Sequence, residues 1–214
     1  MADRFNEVIQ RHLVANGISS GVPQSHERYA YASALFLYKE DSGYKRIPYQ
    51  IKYHGNLAVG RHFGRMLGRR LSGSDIFRDV DMVIPVPLHW LRRWKRGYNQ
   101  AEIIGGEVAA ALGVHLRTDI LVRKRRTQTQ TQLSIEEKAA NVAGAFEVSE
   151  SAKRVYGIAP HDVSSRCTRP KHVLLVDDVF TTGSTLGECF KALRSVFTPE
   201  IRISVATLAF VGDI

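Results

Sequence analysis

Apolar positions recur along this chain in two rhythms, and their alternation predicts an α/β protein. Short apolar or aromatic runs at Tyr29–Tyr38, Met82–Val86, His172–Asp177 and Ile201–Phe210 predict strands, the His172–Asp177 run being of the fully buried kind. Helical spacing appears from Asp3 to about Asn16, with Phe5, Val8, Ile9 and Leu13 on one face and Gly17 after it. It returns from Lys45 to Leu71, where Gly55 breaks the pattern into two helices, and from Gln100 to Leu112. That last helix is expected to turn Ile103, Ile104, Val108 and Ala111 inward and to stop at Gly113. A further helix is expected over Ser184–Val196, and further strands at Leu116–Val122 and Ala145–Val148.

The connecting segments are polar. Ser19–His26 reads as a linker, and Arg123–Gln132 has no apolar period and predicts an exposed loop. Ser134-Ile135-Glu136-Glu137 matches a helix start, with the Ser as cap and acids in the first turn. Ser149–Lys171 is either an insertion or a loop with short hairpin strands. Strands alternating with helices imply a doubly wound, mostly parallel sheet. The expected organisation is a domain over 73–214 preceded by a small α/β appendage, 1–72, packed on its core.

Composition narrows the function. No apolar run in the 214 residues approaches the roughly 20 that a spanning helix needs, and no secretory signal is visible, so the expected location is cytoplasmic with no membrane partner. Cys167 and Cys189 form no Cys-x-x-Cys pair, which excludes a zinc ribbon and gives no disulfide framework; free thiols are favoured over a single bridge between the two. The net charge of +9 is uneven: Arg92, Arg93, Lys95, Arg96, Arg117, Arg123, Lys124, Arg125 and Arg126 face only Glu102, Glu107 and Asp119 in that stretch. Such a block fits a polyanion, whether nucleic acid, a diphosphate or an acidic surface, and equally a solvated basic face.

The most informative segment is Val173 to Thr185. An apolar strand runs into Asp177 and Asp178 and then into Thr181-Thr182-Gly183-Ser184-Thr185 at the start of a helix. Consecutive backbone N–H groups, small hydroxyls and a helix N-terminus form a cradle for phosphate, and Gly183 permits the tight turn. Two adjacent ionised acids are poor phosphate ligands; they suit a pair of neighbouring hydroxyls, as on ribose, or a magnesium ion. Nucleotide kinases are disfavoured, since no Gly-x-x-x-x-Gly-Lys or Gly-x-Gly-x-x-Gly loop occurs.

These thirteen residues resemble the signature of type I phosphoribosyltransferases, which bind phosphoribosyl pyrophosphate (PRPP). The resemblance implies that Asp177 and Asp178 hold the ribose hydroxyls, with magnesium nearby, and that Thr181, Thr182, Gly183, Ser184 and Thr185 hold the 5-phosphate. Val86-Pro87-Leu88-His89, Arg96-Gly97-Tyr98-Asn99-Gln100-Ala101-Glu102, Lys52-Tyr53-His54-Gly55 and Asn141-Val142-Ala143-Gly144-Ala145-Phe146 are similar to the ComF competence-protein branch. Members of that branch often begin with a four-cysteine zinc ribbon, which is not expected here, and Lys138 stands where they usually carry Arg.

Within this resemblance Arg96 is the candidate for stabilising the diphosphate, with Pro87, Asn99, Lys124 and Arg126 as further PRPP contacts and the 123–132 loop as a cover. Some purine-base members carry a carboxylate three residues beyond the acid pair; here Thr181 stands there, with no useful basicity near neutral pH. Two function classes follow. One is a phosphoribosyltransferase acting on a nitrogen nucleophile. The other is a non-catalytic sensor of PRPP or a nucleotide that engages single-stranded DNA or a DNA-processing partner, with only Trp90, Trp94 and Tyr98 as aromatics in the basic stretch. A Trp at such positions is more often core or interface packing than a stacking platform. A homodimer is a further expected partner state.

Overall fold

The computed structural model describes residues 31–38, 46–53, 55–124, 142–157 and 170–211. The helix expected at 3–16, the linker, His54, the loop from 125, Arg126, Lys138, the helix start at Ser134 and Cys167 lie outside the described residues.

Five strands form one parallel sheet: β1 (Ala32–Tyr38), β2 (Met82–Pro85), β3 (His115–Leu116), β6 (His172–Phe180) and β7 (Arg202–Val211). Their order is β1-β7-β6-β2-β3, so β6 is central. Residues 172–178 of β6 are all buried, as a strand covered on both faces requires. Alternation divides it: Leu174 and Val176 face one core with Ile104, Val108 and Leu67, while Val173 and Leu175 face another with Phe197, Leu193 and Phe146. A separate antiparallel pair, β4 (Leu121–Arg123) and β5 (Phe146–Val148), belongs to the second core.

The helices cover both faces. On the first lie α1 (Arg46–Tyr53), α2 (Leu57–Ser72) and α4 (Gln100–Leu112). The second carries α5 (Glu150–Tyr156) and α6 (Ser184–Arg194), and a short α3 (Trp90–Arg96) precedes α4. From β2 the chain passes through α4 to β3 on one side of the sheet; from β6 it passes through α6 to β7 on the other. Connections that leave two neighbouring strands in opposite directions open a crevice at the strands' carboxyl ends, here those of β2 and β6.

Several expectations need correction. β6 does not end at Asp177: pairing with β7 continues through Asp177↔Thr207, Val179↔Ala209 and Phe180↔Phe210, so the long partner strand overrides the low strand preference of the acids. The expected strand 116–122 is broken into β3 and β4. After Leu116 the Arg117 guanidinium holds both Asp119 oxygens at 2.9 and 2.8 Å, and the chain turns off the sheet there. Arg123 lies in β4 and is half-buried rather than on an exposed loop. Residues 150–156 are helical, with Ser149 Oγ accepting the Ala152 N–H as a cap and Tyr156 packing 5.2 Å from Phe197. In α4 Ala111, expected inward, is exposed together with Ala110, and Ala109 takes the inward place. β1 and α2, expected within an appendage, share the sheet and core of the rest: Ala32 to Tyr38 pair with Val205 to Val211, and α2 lies along α4.

The α2–α4 contact depends on missing side chains. Gly60, Gly64 and Gly68 recur at helical spacing on α2, and a Cβ at Gly68 would lie 2.7 Å from Ala111 Cβ and 3.1 Å from Glu107 O. Gly106, on α4, has only Leu116 Cδ2, at 4.0 Å. The same substitution therefore has opposite signs at the two sites. Gly68→Ala is expected to destabilise by about 1–3 kcal/mol through overpacking. Gly106→Ala is expected to stabilise by up to about 1 kcal/mol through helix propensity. Denaturant midpoints of the two variants, which should move apart, check the close packing.

Candidate functional site

The crevice at the ends of β2 and β6 is a cleft of about 720 Å³, within the usual range for small-ligand sites. Its floor is built by strand ends. Val86 N–H donates to Val176 O at 2.9 Å, which ties the end of β2 to β6 and presents Pro87 and Leu88 to the cavity. Asn99 is 1% exposed; its Nδ2 donates to Val86 O at 3.0 Å, and its Oδ1 accepts the Ala101 N–H as the cap of α4. Its polar atoms are thus spent on holding the β2 end against α4, and it is not among the cavity-lining residues, against the expectation that it contacts ligand.

On the β6 side the chain leaves the strand at Phe180 and turns at Gly183, whose φ of +77° is left-handed and favours glycine. Thr181, Gly183, Ser184 and Thr185 all line the cleft, at the N-terminus of α6. The first N–H groups of a helix have no intrahelical acceptor, and the helix dipole adds positive potential there. Thr182 is turned differently: its Oγ1 hydrogen-bonds Ser184 Oγ at 2.8 Å, and it is not among the lining residues. It braces the turn.

Asp177 and Asp178 sit just before this turn, 9% and 3% exposed, and both line the cavity. Successive residues of a strand point to opposite faces. Asp178 faces α1, where Lys52 Nζ lies 2.7 Å from its Oδ2. Asp177 accepts the Asp178 N–H on its Oδ1 at 2.8 Å and interacts electrostatically with Arg123 and Cys189 on the α6 side. Burial, and then the neighbouring Asp178 charge, push the Asp177 carboxyl up to about 8.

Cations complete the wall. Lys52, Arg92, Lys95, Arg96 and Arg123 line the cleft against these two carboxylates. Arg96 ends α3, where Gly97 closes the helix with φ +81°, and its NH1 donates to Gln100 Oε1 at 2.7 Å. Arg123 stands 4.9 Å from the Phe146 ring centroid; burial first, then the Arg92 charge, push its pKa below the usual arginine value. Cations assembled in excess of acids are arranged for an anion. Lys124 is not part of this wall: it is drawn away by Glu147 at 2.6 Å and is largely exposed.

Sequence reasoning missed four of these cations as site members, Arg123 having been placed only at the start of a covering loop. Lys52 was visible only as part of a resembling segment, because nothing in its spacing announces a partner 126 positions on. Arg92 and Lys95 were lost in a basic run until α3 was seen to turn them toward the cavity. The same helix leaves Trp90 66% and Trp94 79% exposed, so of the expected core or interface packing the core alternative is removed.

The Asp177 shift predicts a stability cost at the site. Between pH 4 and about 8 the folded protein keeps a proton that the unfolded chain releases, so its contribution falls as pH rises through that window. Asp177→Asn keeps the oxygen that accepts from Asp178 N–H and removes the titrating group. It is expected to raise Tm of the ligand-free protein by ~2–4 °C, on the order of 1 kcal/mol, at pH 8 and by less at pH 5. Calorimetry at the two pH values checks the sign.

Comparison with known proteins agrees with this geometry. The model of the phosphoribosyl transferase domain matches residues 99–212, which hold the β6 turn, Asp177, Asp178 and Arg123. Competence protein F of Haemophilus influenzae is 36% identical over 157 residues, 72% of this chain and 63% of that protein. DNA utilization protein YhgH of Salmonella typhimurium is 29% identical over 151 residues, 68% of this chain and 58% of that protein. Competence protein ComFC of Streptococcus pneumoniae is 27% identical over 182 residues, 85% of this chain and 67% of that protein. The chain spans less than two thirds of the length of the first two relatives. On the match to the domain and to these relatives, the chain belongs to the phosphoribosyl transferase domain family, in its competence protein F branch.

Proposed function

We propose that the cleft binds PRPP together with magnesium and that the protein transfers the phosphoribosyl group to a nitrogen nucleophile. The observation that carries this reading is the convergence on one crevice of a helix-N-terminal hydroxyl turn, a buried acid pair and five cationic side chains. The turn at 181–185 suits a phosphate monoester, the acids suit vicinal hydroxyls, and the cations suit a diphosphate. Two carboxylates fit a magnesium ion that arrives with the diphosphate, and among the described residues no larger acidic or histidine cluster competes for it. Bound there, magnesium supplies charge neutralisation for the leaving group.

In the transfer the C1–O bond to diphosphate breaks and a C1–N bond forms; the diphosphate leaves with the bonding electrons and the acceptor gives up a proton. Arg96, Arg92 and Arg123 stabilise the charge that accumulates on the departing oxygens, and Asp177 and Asp178 fix the sugar through its hydroxyls while C1 is electron-poor. The proton acceptor is not a protein carboxylate at position 181, since Thr181 is exposed and unbasic. That disfavours purine bases as acceptors.

A thermal-shift titration tests the binding step. At a PRPP concentration 100 times Kd, with magnesium, the wild type should gain about 2.7 kcal/mol, or about 5–10 °C in Tm, and Asp178→Asn should show no shift. Transfer is read separately as diphosphate release with a panel of nitrogen nucleophiles; a shift without release for any acceptor leaves binding and removes turnover.

A second reading has its own observation. Trp90 and Trp94, one helical turn apart on α3, are exposed beside Arg93 and Lys95, and the relatives' names refer to competence and DNA utilization. In this reading the protein senses PRPP or a nucleotide without turnover, and single-stranded DNA stacks on the two indoles while the cations take its phosphates. Each Trp→Ala change is then expected to cost about 1–3 kcal/mol of DNA binding at low salt, whereas Asp178→Asn leaves it intact. A filter-binding or anisotropy titration decides, and no binding at low salt removes this reading.

A further inference from the structure

We propose that Lys52 closes the sugar-hydroxyl site in the ligand-free protein and hands its charge to the ligand's diphosphate when a phosphorylated pentose enters. This rests on the proposed PRPP reading and gives one of its five cations a separate role.

Lys52 comes from outside the 99–212 span that matches the domain family, yet it lines the same cleft as the acid pair. Its ammonium lies 2.7 Å from Asp178 Oδ2, with the carboxylate side chain 4% exposed and the lysine 28%. Among the described residues that ammonium is the one ion-pair partner of Asp178 Oδ2, a buried oxygen that makes no hydrogen bond. A buried carboxylate without a partner is strongly disfavoured, so the pair supports the site while it is empty.

The lysine's position is set at its base. Ile51, beside it, is fully buried, and the Ile51 carbonyl accepts a hydrogen bond from Tyr98 OH. A Cβ at Gly60 would meet Ile51 Cγ2 at 3.6 Å, so the α1–α2 corner is packed closely under Lys52. The backbone of Lys52 is thereby anchored to the core and to the Arg96–Gln100 connection. Its four-carbon stem keeps rotational freedom, and an ammonium donates in any direction, unlike the fixed fork of a guanidinium.

An entering pentose needs the same carboxylate. Its hydroxyls donate to Asp178 and take over the role of the ammonium, and Lys52 is then beside a ligand that carries several negative charges on its diphosphate. The exchange favours a ligand that supplies both groups. A sugar phosphate lacking the diphosphate must break the Lys52–Asp178 pair and offers the ammonium nothing in return. Lys52 thus acts as a selector for the diphosphate form over ribose 5-phosphate.

The test compares two ligands on two proteins. Dissociation constants for PRPP with magnesium and for ribose 5-phosphate are measured by calorimetry on wild type and on Lys52→Met, which keeps stem length and loses charge. PRPP binding is expected to weaken about 10- to 100-fold, the range of one charge-assisted hydrogen bond. Ribose 5-phosphate binding is expected to be unchanged or tighter, so selectivity falls by at least the PRPP loss. Lys52→Arg is expected to recover only part of it. Equal changes for both ligands, or none, overturn the proposal, and because selectivity is a ratio a partial loss of folded protein cancels from it. Should wild type bind neither ligand, the PRPP reading falls and Lys52's role falls with it; should wild type select PRPP and Lys52→Met select it equally, only the role of Lys52 is lost.

Discussion

Two adjacent carboxylates buried at the end of the central strand are the constraint around which this molecule is organised. A strand that ran on as Val or Leu would be more stable, because each ionised acid must be compensated inside the fold. Here the compensation is split by the pleat. Asp178 is turned to the α1 side and receives the Lys52 ammonium, while Asp177 is turned to the α6 side and is pushed toward its protonated form. A strand end that retains such a pair is arranged for something that arrives from the open side.

Topology explains why that side is open. The chain departs from β2 and β6 in opposite directions, so no helix can lie across the carboxyl ends of both. The same departure sends α4 and α6 to opposite faces and aims the α6 N-terminus at the crevice. Hydroxyl turn, acid pair and cationic wall are therefore brought to one crevice by one crossover in strand order. Hydrogen bonds from Val86 to Val176 and from Asn99 to Val86 then hold the two strand ends in register.

The segment before residue 73 is part of this arrangement and not merely packed against it. β1 extends the sheet beyond β7, and the glycine face of α2 lets it approach α4 closely enough for α1 to reach over the cleft. From there Lys52 meets Asp178. A cleft whose hydroxyl turn and acids lie in the domain-matching stretch thus draws one of its charges from elsewhere in the chain.

Local chemistry alone determined a good deal. The buried character of β6, the stop of α4 at Gly113 and the hydroxyl turn with its Gly183 are legible because each depends on near neighbours: apolar runs, a left-handed glycine, hydroxyls at a helix start. What depended on distance was not legible. Whether β6 continued past its acids was decided by the length of β7, and whether 116–122 formed one strand was decided by the turn at Arg117, which is held by Asp119 and by Tyr156 across the fold. The fates of Asn99 and Lys124 turned on partners at Val86 and Glu147, and Lys52 on a partner across the fold. Sequence spacing encodes the backbone's own period, but a side chain's partner across the cleft is selected by the packing of the whole sheet. Only the folded chain makes that selection.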